Sequence, residues 1–162
     1  MINLVEVLVL YYSRNGKTEV LANAVAEGAK SINGVSAKVK RVDYATVDDL
    51  VSCDAVAFGS PNYFGYMAGL MKDFFDRAWS IRQKVAGKPA AAFTCGGSSS
   101  NSALLSLEKM FSYFNMKKVS EGVVWGVRDQ GTPNEQDLTE CKKLGEALAK
   151  TALKRAEETP KD

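Results

Sequence analysis

Histidine is absent from this 162-residue chain. That absence removes the commonest general base and a leading metal ligand. Ser–His triads, Cys–His nucleophilic sites and histidine-ligated metals are excluded with it. Cysteine is scarce: Cys53, Cys95 and Cys141 are odd in number and far apart. This argues against a disulfide framework or a zinc site, and for a reducing compartment, the cytoplasm. No apolar stretch reaches membrane-spanning length, so no membrane span is expected. The N-terminus lacks a basic n-region and runs straight into a strand-like pattern, so no signal peptide is expected either. Charge of one sign is also missing. The net charge is +2 and the Lys and Arg residues are scattered, which gives no ground for expecting a nucleic-acid partner. No linker, repeat or low-complexity segment interrupts the chain. A single domain over 1–162 is expected, long enough to bury a real core, with 156–162 as a frayed tail.

What is present alternates in period. "LVEVLVLYY" (4–12) is an almost continuous apolar run, the mark of a strand buried on both faces of a parallel sheet. From Thr18 the spacing changes to a helical stripe of Leu21, Val25, Gly28 and Ile32, which "NG" at 33–34 ends. "VSAKVKRVDY" (35–44) alternates apolar and polar residues, as an edge strand guarded by lysines would. A short helix leads to "DAVAFGS" (54–60), a second wholly apolar strand. The stripe Leu70, Phe74, Ala78 and Ile81 follows. "KPAAAFTCGG" (88–97), the stripe Leu104, Leu107, Phe111 and Phe114, the strand "EGVVWGV" (121–127) and a last helix through Leu138, Cys141, Leu144 and Leu148 complete the pattern. Five strands alternating with helices imply an α/β fold with a doubly wound parallel sheet and helices on both faces. Right-handed crossovers and an edge strand in second place favour the order 2-1-3-4-5.

In such a sheet, ligands bind beyond the carboxyl ends of the strands, where the strand order reverses. Three loops leave those ends. "SRNGKT" (13–18) enters a helix N-terminus and suits an anion, through backbone N–H groups and the helix dipole. Ser13, Asn15 and Thr18 add polar side chains, Arg14 and Lys17 add positive charge, and Gly16 permits close backbone approach. The spacing is not that of a nucleotide P-loop. "SPNYFG" (60–65) sets Tyr63 and Phe64 side by side in a turn, where they either fold back into the core or cover a flat ligand. Gly65 can take a positive φ and so permit a peptide to turn over. "TCGGSSS" (94–100) is built of small residues. It can meet a planar ring edge-on with backbone N–H groups, or simply cap the next helix. Cys95 either touches such a ring or serves as a small buried hydrophobe.

A phosphate at one end and a flat heterocycle between aromatics at the other describes FMN. "YYSRNGKTEVLANAVAEGA" resembles the phosphate loop and first helix of flavodoxin-like proteins. "FGSPNYFGYMAGLMKDFFDRAW" (58–79) is similar to the matching segment of NAD(P)H:quinone oxidoreductases of the tryptophan-repressor-binding-protein type. It keeps Gly59, Ser60, Pro61, Phe64, Gly65, Met67, Gly69, Met71, Phe74 and Asp76. The resemblance implies a flavodoxin-like fold and an FMN cofactor, with Ser13, Arg14, Asn15, Gly16, Lys17 and Thr18 at the phosphate. It places Pro61, Asn62, Tyr63, Phe64 and Gly65 beside the ring, and Thr94, Cys95, Gly96 and Gly97 at its pyrimidine edge. It assigns no catalytic residue and no metal. The quinone reductases are longer and place a histidine over the flavin, whereas electron-carrying flavodoxins are usually strongly acidic. This chain is slightly basic, but its lack of histidine and of a substrate domain makes an electron carrier between redox partner proteins the favoured expectation. The alternative is an enzyme passing hydride from NAD(P)H to a quinone, and a homo-oligomer stays open. A response-regulator receiver of the same topology would need an acidic pair where Tyr12 and Ser13 stand.

Overall fold

The computed structural model describes residues 4–126 and 131–159. In chain order its elements are β1 (Val5–Tyr11), α1 (Lys17–Lys30), β2 (Val35–Arg41), α2 (Val47–Ser52), β3 (Ala55–Pro61), α3 (Gly69–Ala78), β4 (Pro89–Cys95), α4 (Ser100–Tyr113), β5 (Lys117–Lys118), β6 (Val123–Trp125) and α5 (Glu135–Glu158). The strands form one parallel sheet in the order β2-β1-β3-β4-β5, and β6 also pairs with β4. The expected order is therefore present. The fifth strand differs in being split. Its first part, β5, pairs with Pro89 and Ala90, and its second part, β6, pairs with Phe93 to Cys95. Residue 127, expected to end this strand, lies outside the described residues.

The apolar run of β1 resolves into two faces of period two. Val7 and Val9 join Leu21, Val25, Ala57, Phe93, Leu144 and Leu148 on the side covered by α1 and α5. Leu8 and Leu10 join Phe58, Met71, Phe74, Phe75, Leu107 and Phe111 on the other side. Gly28 and Gly145 let α1 and α5 touch backbone to backbone, since a methyl at either would collide with a carbonyl of the other helix. An Asn134–Asp137 capping box starts α5, with both hydrogen bonds at 2.9 Å. On the edge strand, Lys40 pairs with Asp49 at 2.8 Å.

Several local expectations change. β2 stops at Arg41 and turns into a 3-10 segment, Val42–Tyr44. Leu70 is 44 % exposed, so the buried stripe of α3 is Met71, Phe74, Phe75 and Ala78. Ile81 lies in a 3-10 stretch, at non-helical φ/ψ, where the stripe no longer continues. Residues 156–158, expected to fray, are helical. No helix among the described residues is long and apolar enough to cross a membrane.

Candidate functional site

All three sequence-marked loops leave the carboxyl ends of β1, β3 and β4, and hydrogen bonds join them. Between β1 and α1 the chain turns on Gly16, whose φ of +93° lies in the left-handed region that favours glycine. Nothing lies within 4 Å of where a Gly16 side chain would begin. No side chain caps α1, so its first turn faces open space with N–H groups and the positive end of the helix dipole. Ser13 is buried, and its Oγ accepts the Gly16 N–H at 2.9 Å. The Lys17 backbone N–H donates to Asn15 Oδ1 at 3.4 Å. Arg14 and Asn15 are exposed and Lys17 is half-buried. Thr18 is buried, with its Oγ1 3.1 Å from Cys95 Sγ. The Ser13 hydroxyl thus bonds within its own loop, and the Thr18 hydroxyl ties that loop to the end of β4.

Beyond β3, residues 63–66 form a tight hairpin. Tyr63 and Tyr66 exchange N–H···O bonds of 2.9 and 3.0 Å. Phe64 (φ +56°) and Gly65 (φ +77°) both have positive φ, as in a type I′ turn. Glycine suits the second position, but a phenylalanine in the first is strained by about 1–2 kcal/mol. The aromatic pair divides. Tyr63 is half-buried with its ring edge-on to Tyr12, centroids 6.3 Å apart, while Phe64 is fully exposed. Burial raises the Tyr63 phenol above its ordinary value, Tyr12 adds to this, and the Arg14 charge opposes it. Asn62 sits at the joint. Its backbone N–H donates to the Cys95 carbonyl at 2.8 Å, and its carboxamide bonds to Gly96, Ser99 and Gly65.

The turn after β4 is more engaged than its composition suggested. The Gly96 and Gly97 N–H groups donate to the Trp125 and Gly126 carbonyls, both at 3.0 Å. Ser100 Oγ donates to the Gly96 and Gly97 carbonyls, and Thr94 Oγ1 to the Ser100 carbonyl. These two glycine N–H groups therefore already have protein acceptors. Ser98 and Ser99, next along the turn, are exposed. Burial raises the Cys95 thiol, opposed by the Thr18 hydrogen bond and the Lys17 charge.

Sequence reasoning missed three neighbours. Tyr12 forms the second half of the aromatic wall, and its place directly after an apolar strand was a usable signal. Arg41 donates to the Ser13 carbonyl at 2.8 Å and lies 5.4 Å from the Tyr12 ring centroid. Only the β1–β2 register, which pairs Tyr11 with Arg41, brings it there. Asp43, hydrogen-bonded to Arg41, holds that guanidinium's pKa above its ordinary value against burial. Trp125, paired with Cys95 across the sheet, is buried, and its indole N–H meets no acceptor among the described residues.

An uncapped helix N-terminus at the point where strand order reverses, faced by an aromatic hairpin and a glycine turn, defines a mononucleotide-binding protein of the flavodoxin-like class. Residues 5–130 match the family model described as NADPH-dependent FMN reductase, and the chain belongs to that family of flavodoxin-like FMN proteins. A curated flavodoxin of Aquifex aeolicus (strain VF5) is 33% identical over 163 residues, covering 89% of this chain and 85% of that protein. The solved structure of a flavodoxin from the domain Archaea superposes with a TM-score of 0.82 at 26% identity, covering 92% of this chain and 99% of that one. The flavodiiron protein of Giardia intestinalis shares the fold, with a TM-score of 0.82 at 22% identity over 97% of this chain and 38% of that one.

Proposed function

We propose that this chain is an FMN-binding electron carrier that works between partner proteins in the cytoplasm. The observation that carries the reading is the first turn of α1, uncapped and open beside Gly16. That geometry fits a terminal phosphate, which the Thr18 and Glu19 N–H groups would meet, with Arg14, Asn15 and Lys17 around it. Ser13, Thr18 and Arg41 hold the loop in shape from behind. The ring would lie between the Tyr12–Tyr63 wall with Phe64 and the turn at Thr94, Cys95, Gly96 and Gly97. Pro61, Asn62 and Gly65 set the hairpin's place. When bound, the flavin supplies the redox chemistry, and the protein supplies binding, shielding and tuning. The chain has no histidine. Tyr63, the titratable side chain of the hairpin wall with a resolved shift, is pushed toward keeping its proton. Both features suit a carrier, and so does the likeness to flavodoxins.

The family model's description favours a second reading, an FMN-dependent enzyme oxidising NAD(P)H and reducing a quinone or a similar acceptor. Two measurements separate the readings. FMN should bind more tightly than riboflavin, and equal affinities would remove the phosphate assignment. Potentiometric titration should resolve two separate one-electron steps, with only slow NADPH oxidation in the presence of benzoquinone. Rapid saturable turnover with NADPH, with a single two-electron step, would make the protein a reductase.

A further inference from the structure

The carboxamide of Asn62 makes three hydrogen bonds, and none of them points at a ligand. Nδ2 donates to the Gly96 carbonyl at 2.9 Å and to Ser99 Oγ at 2.7 Å. Oδ1 accepts the Gly65 N–H at 2.9 Å. Those partners belong to two different loops. Gly65 is the second central residue of the 63–66 hairpin, and Gly96 and Ser99 belong to the turn after β4. A Gly65 side chain would begin 3.6 Å from Ser102 Cβ and 3.9 Å from Ser99 Cβ, ordinary van der Waals distances. A Gly97 side chain would begin only 3.3 Å from Asn62 Nδ2, so the amide fills the space between the loops. The chain around Asn62 is itself fixed, because its backbone N–H donates to the Cys95 carbonyl. Asn62 is thus anchored at its backbone and bonded to both loops by its side chain.

We propose that Asn62 is a positioning residue: its carboxamide latches the aromatic hairpin to the glycine turn and so sets the width of the cleft between them. The latch has two arms. The Oδ1 arm holds the Gly65 N–H and fixes the orientation of the 64–65 peptide. The Nδ2 arm holds the turn. The hairpin needs such support, because Phe64 sits at a φ disfavoured for any residue with a side chain and touches little that would hold it there. Asn62 therefore acts through the cleft's shape rather than by contact with what fills it. For flavin binding, this inference rests on the FMN reading above.

The test uses the full chain with and without flavin. In the apoprotein, chymotrypsin should cut after Tyr63, Phe64 or Tyr66 several-fold faster in Asn62→Ala than in wild type, with other sites unchanged. This arm needs no flavin, so it stands even if the chain binds none. In the loaded protein, Asn62→Ala should weaken FMN and riboflavin by the same factor, about 10-fold for the hydrogen bonds lost. The thermal midpoint should move only by roughly 2–4 °C. Asn62→Asp keeps the acceptor for Gly65 but sets a carboxylate against the Gly96 carbonyl, so it should lose the turn arm and protect the hairpin better than Ala. If Asn62→Ala fails to fold, Ser99→Ala removes one bond alone and should show the same pattern, about two- to threefold. Unchanged cleavage at the hairpin would overturn the proposal. So would a loss confined to FMN, which would place Asn62 at the phosphate. Increased cleavage spread evenly along the chain would make it an ordinary structural residue.

Discussion

Gly16 offers the sharpest perturbation, because its backbone and its surroundings make separable demands. Its φ of +93° strains any residue with a Cβ, yet no atom lies within 4 Å of where that Cβ would be. Gly16→Ala should therefore cost the apoprotein about 1–2 kcal/mol from backbone strain alone. At this chain length that is a drop of roughly 2–8 °C in thermal midpoint. Gly16→Asn should recover most of this, since Asn tolerates the left-handed region. Gly16→Val should be worst, because branching at Cβ makes the conformation a true outlier. Flavin affinity should follow a different order. Any side chain at 16 enters the open space in front of the α1 N-terminus. All three variants should then weaken FMN by about 1–2 kcal/mol, the scale of an anion held at a helix N-terminus, or roughly 5–30-fold in Kd. Riboflavin, lacking the phosphate, should bind each variant as it binds wild type. Differential scanning fluorimetry reads the first series and quenching of flavin fluorescence the second. If Ala is as stable as Gly, the backbone is not held at that φ. If FMN and riboflavin lose affinity equally, the phosphate is not at this turn.

Lys88 is buried, and its Nζ donates to the Leu50, Val51 and Cys53 carbonyls at the end of α2. Lys88→Met should destabilise the fold by about 3 kcal/mol, read by urea denaturation, and an effect below 1 kcal/mol would mean that water replaces the ammonium easily. Tyr63→Ala should weaken flavin by about 1 kcal/mol through the Tyr12–Tyr63 wall and raise flavin emission, and unchanged binding and emission would confine Tyr63 to the core. Phe64→Asn creates the Asn-Gly pair that a type I′ hairpin prefers, so the apoprotein should gain about 0.5–1 kcal/mol while flavin or partner binding weakens; a loss of stability would mean that the turn is of another type. Burial pushes the Cys53 and Cys141 thiols up to about 12 from 9.0. A raised thiol pKa stabilises the fold below pH 9, and that stability is lost as pH climbs from 9 toward 12. Cys53→Ala and Cys141→Ala should each flatten the alkaline fall in urea stability, and an unaltered slope would show that these thiols ionise freely in the folded chain.

The elements that could be read from sequence were those in which one physical demand dominates. β1, β3 and β4 are mostly apolar because both faces are covered. The order of the strands followed from the handedness of crossovers and from one strand with a wet face. What failed were places where two demands meet. Leu70 has the spacing of the α3 stripe but opens the helix beside the exposed hairpin, and the buried positions begin one residue later at Met71. The split of β5 from β6 lies between the residues that pair with Pro89 and Ala90 and those that pair with Phe93 to Cys95, and no composition marks it.

Within the site, sequence could name the loops but not the use of each polar atom. Ser13 and Thr18 were singled out for hydroxyls that could meet a ligand, and Asn62 through the family resemblance, and the same groups could equally satisfy the loops themselves. In the structure all three bond to protein groups. Loops outside regular secondary structure lack ladder partners for their backbone groups, so side chains and neighbouring carbonyls supply the bonds that hold their shape. The α1 N-terminus remains open because Ser13 and Thr18 brace it from behind, with Arg41 on the Ser13 carbonyl. The glycine turn is braced by the Trp125 and Gly126 carbonyls, and the hairpin by Asn62. These side chains form a bracing layer around the loops, and composition alone does not mark which of them would also meet a ligand. Arg41, which lies 28 residues from Ser13 along the chain, belongs to that layer as firmly as the residues of the loops. Its replacement by Ala should loosen the 13–18 turn and weaken FMN more than riboflavin, the pattern expected of the Gly16 variants.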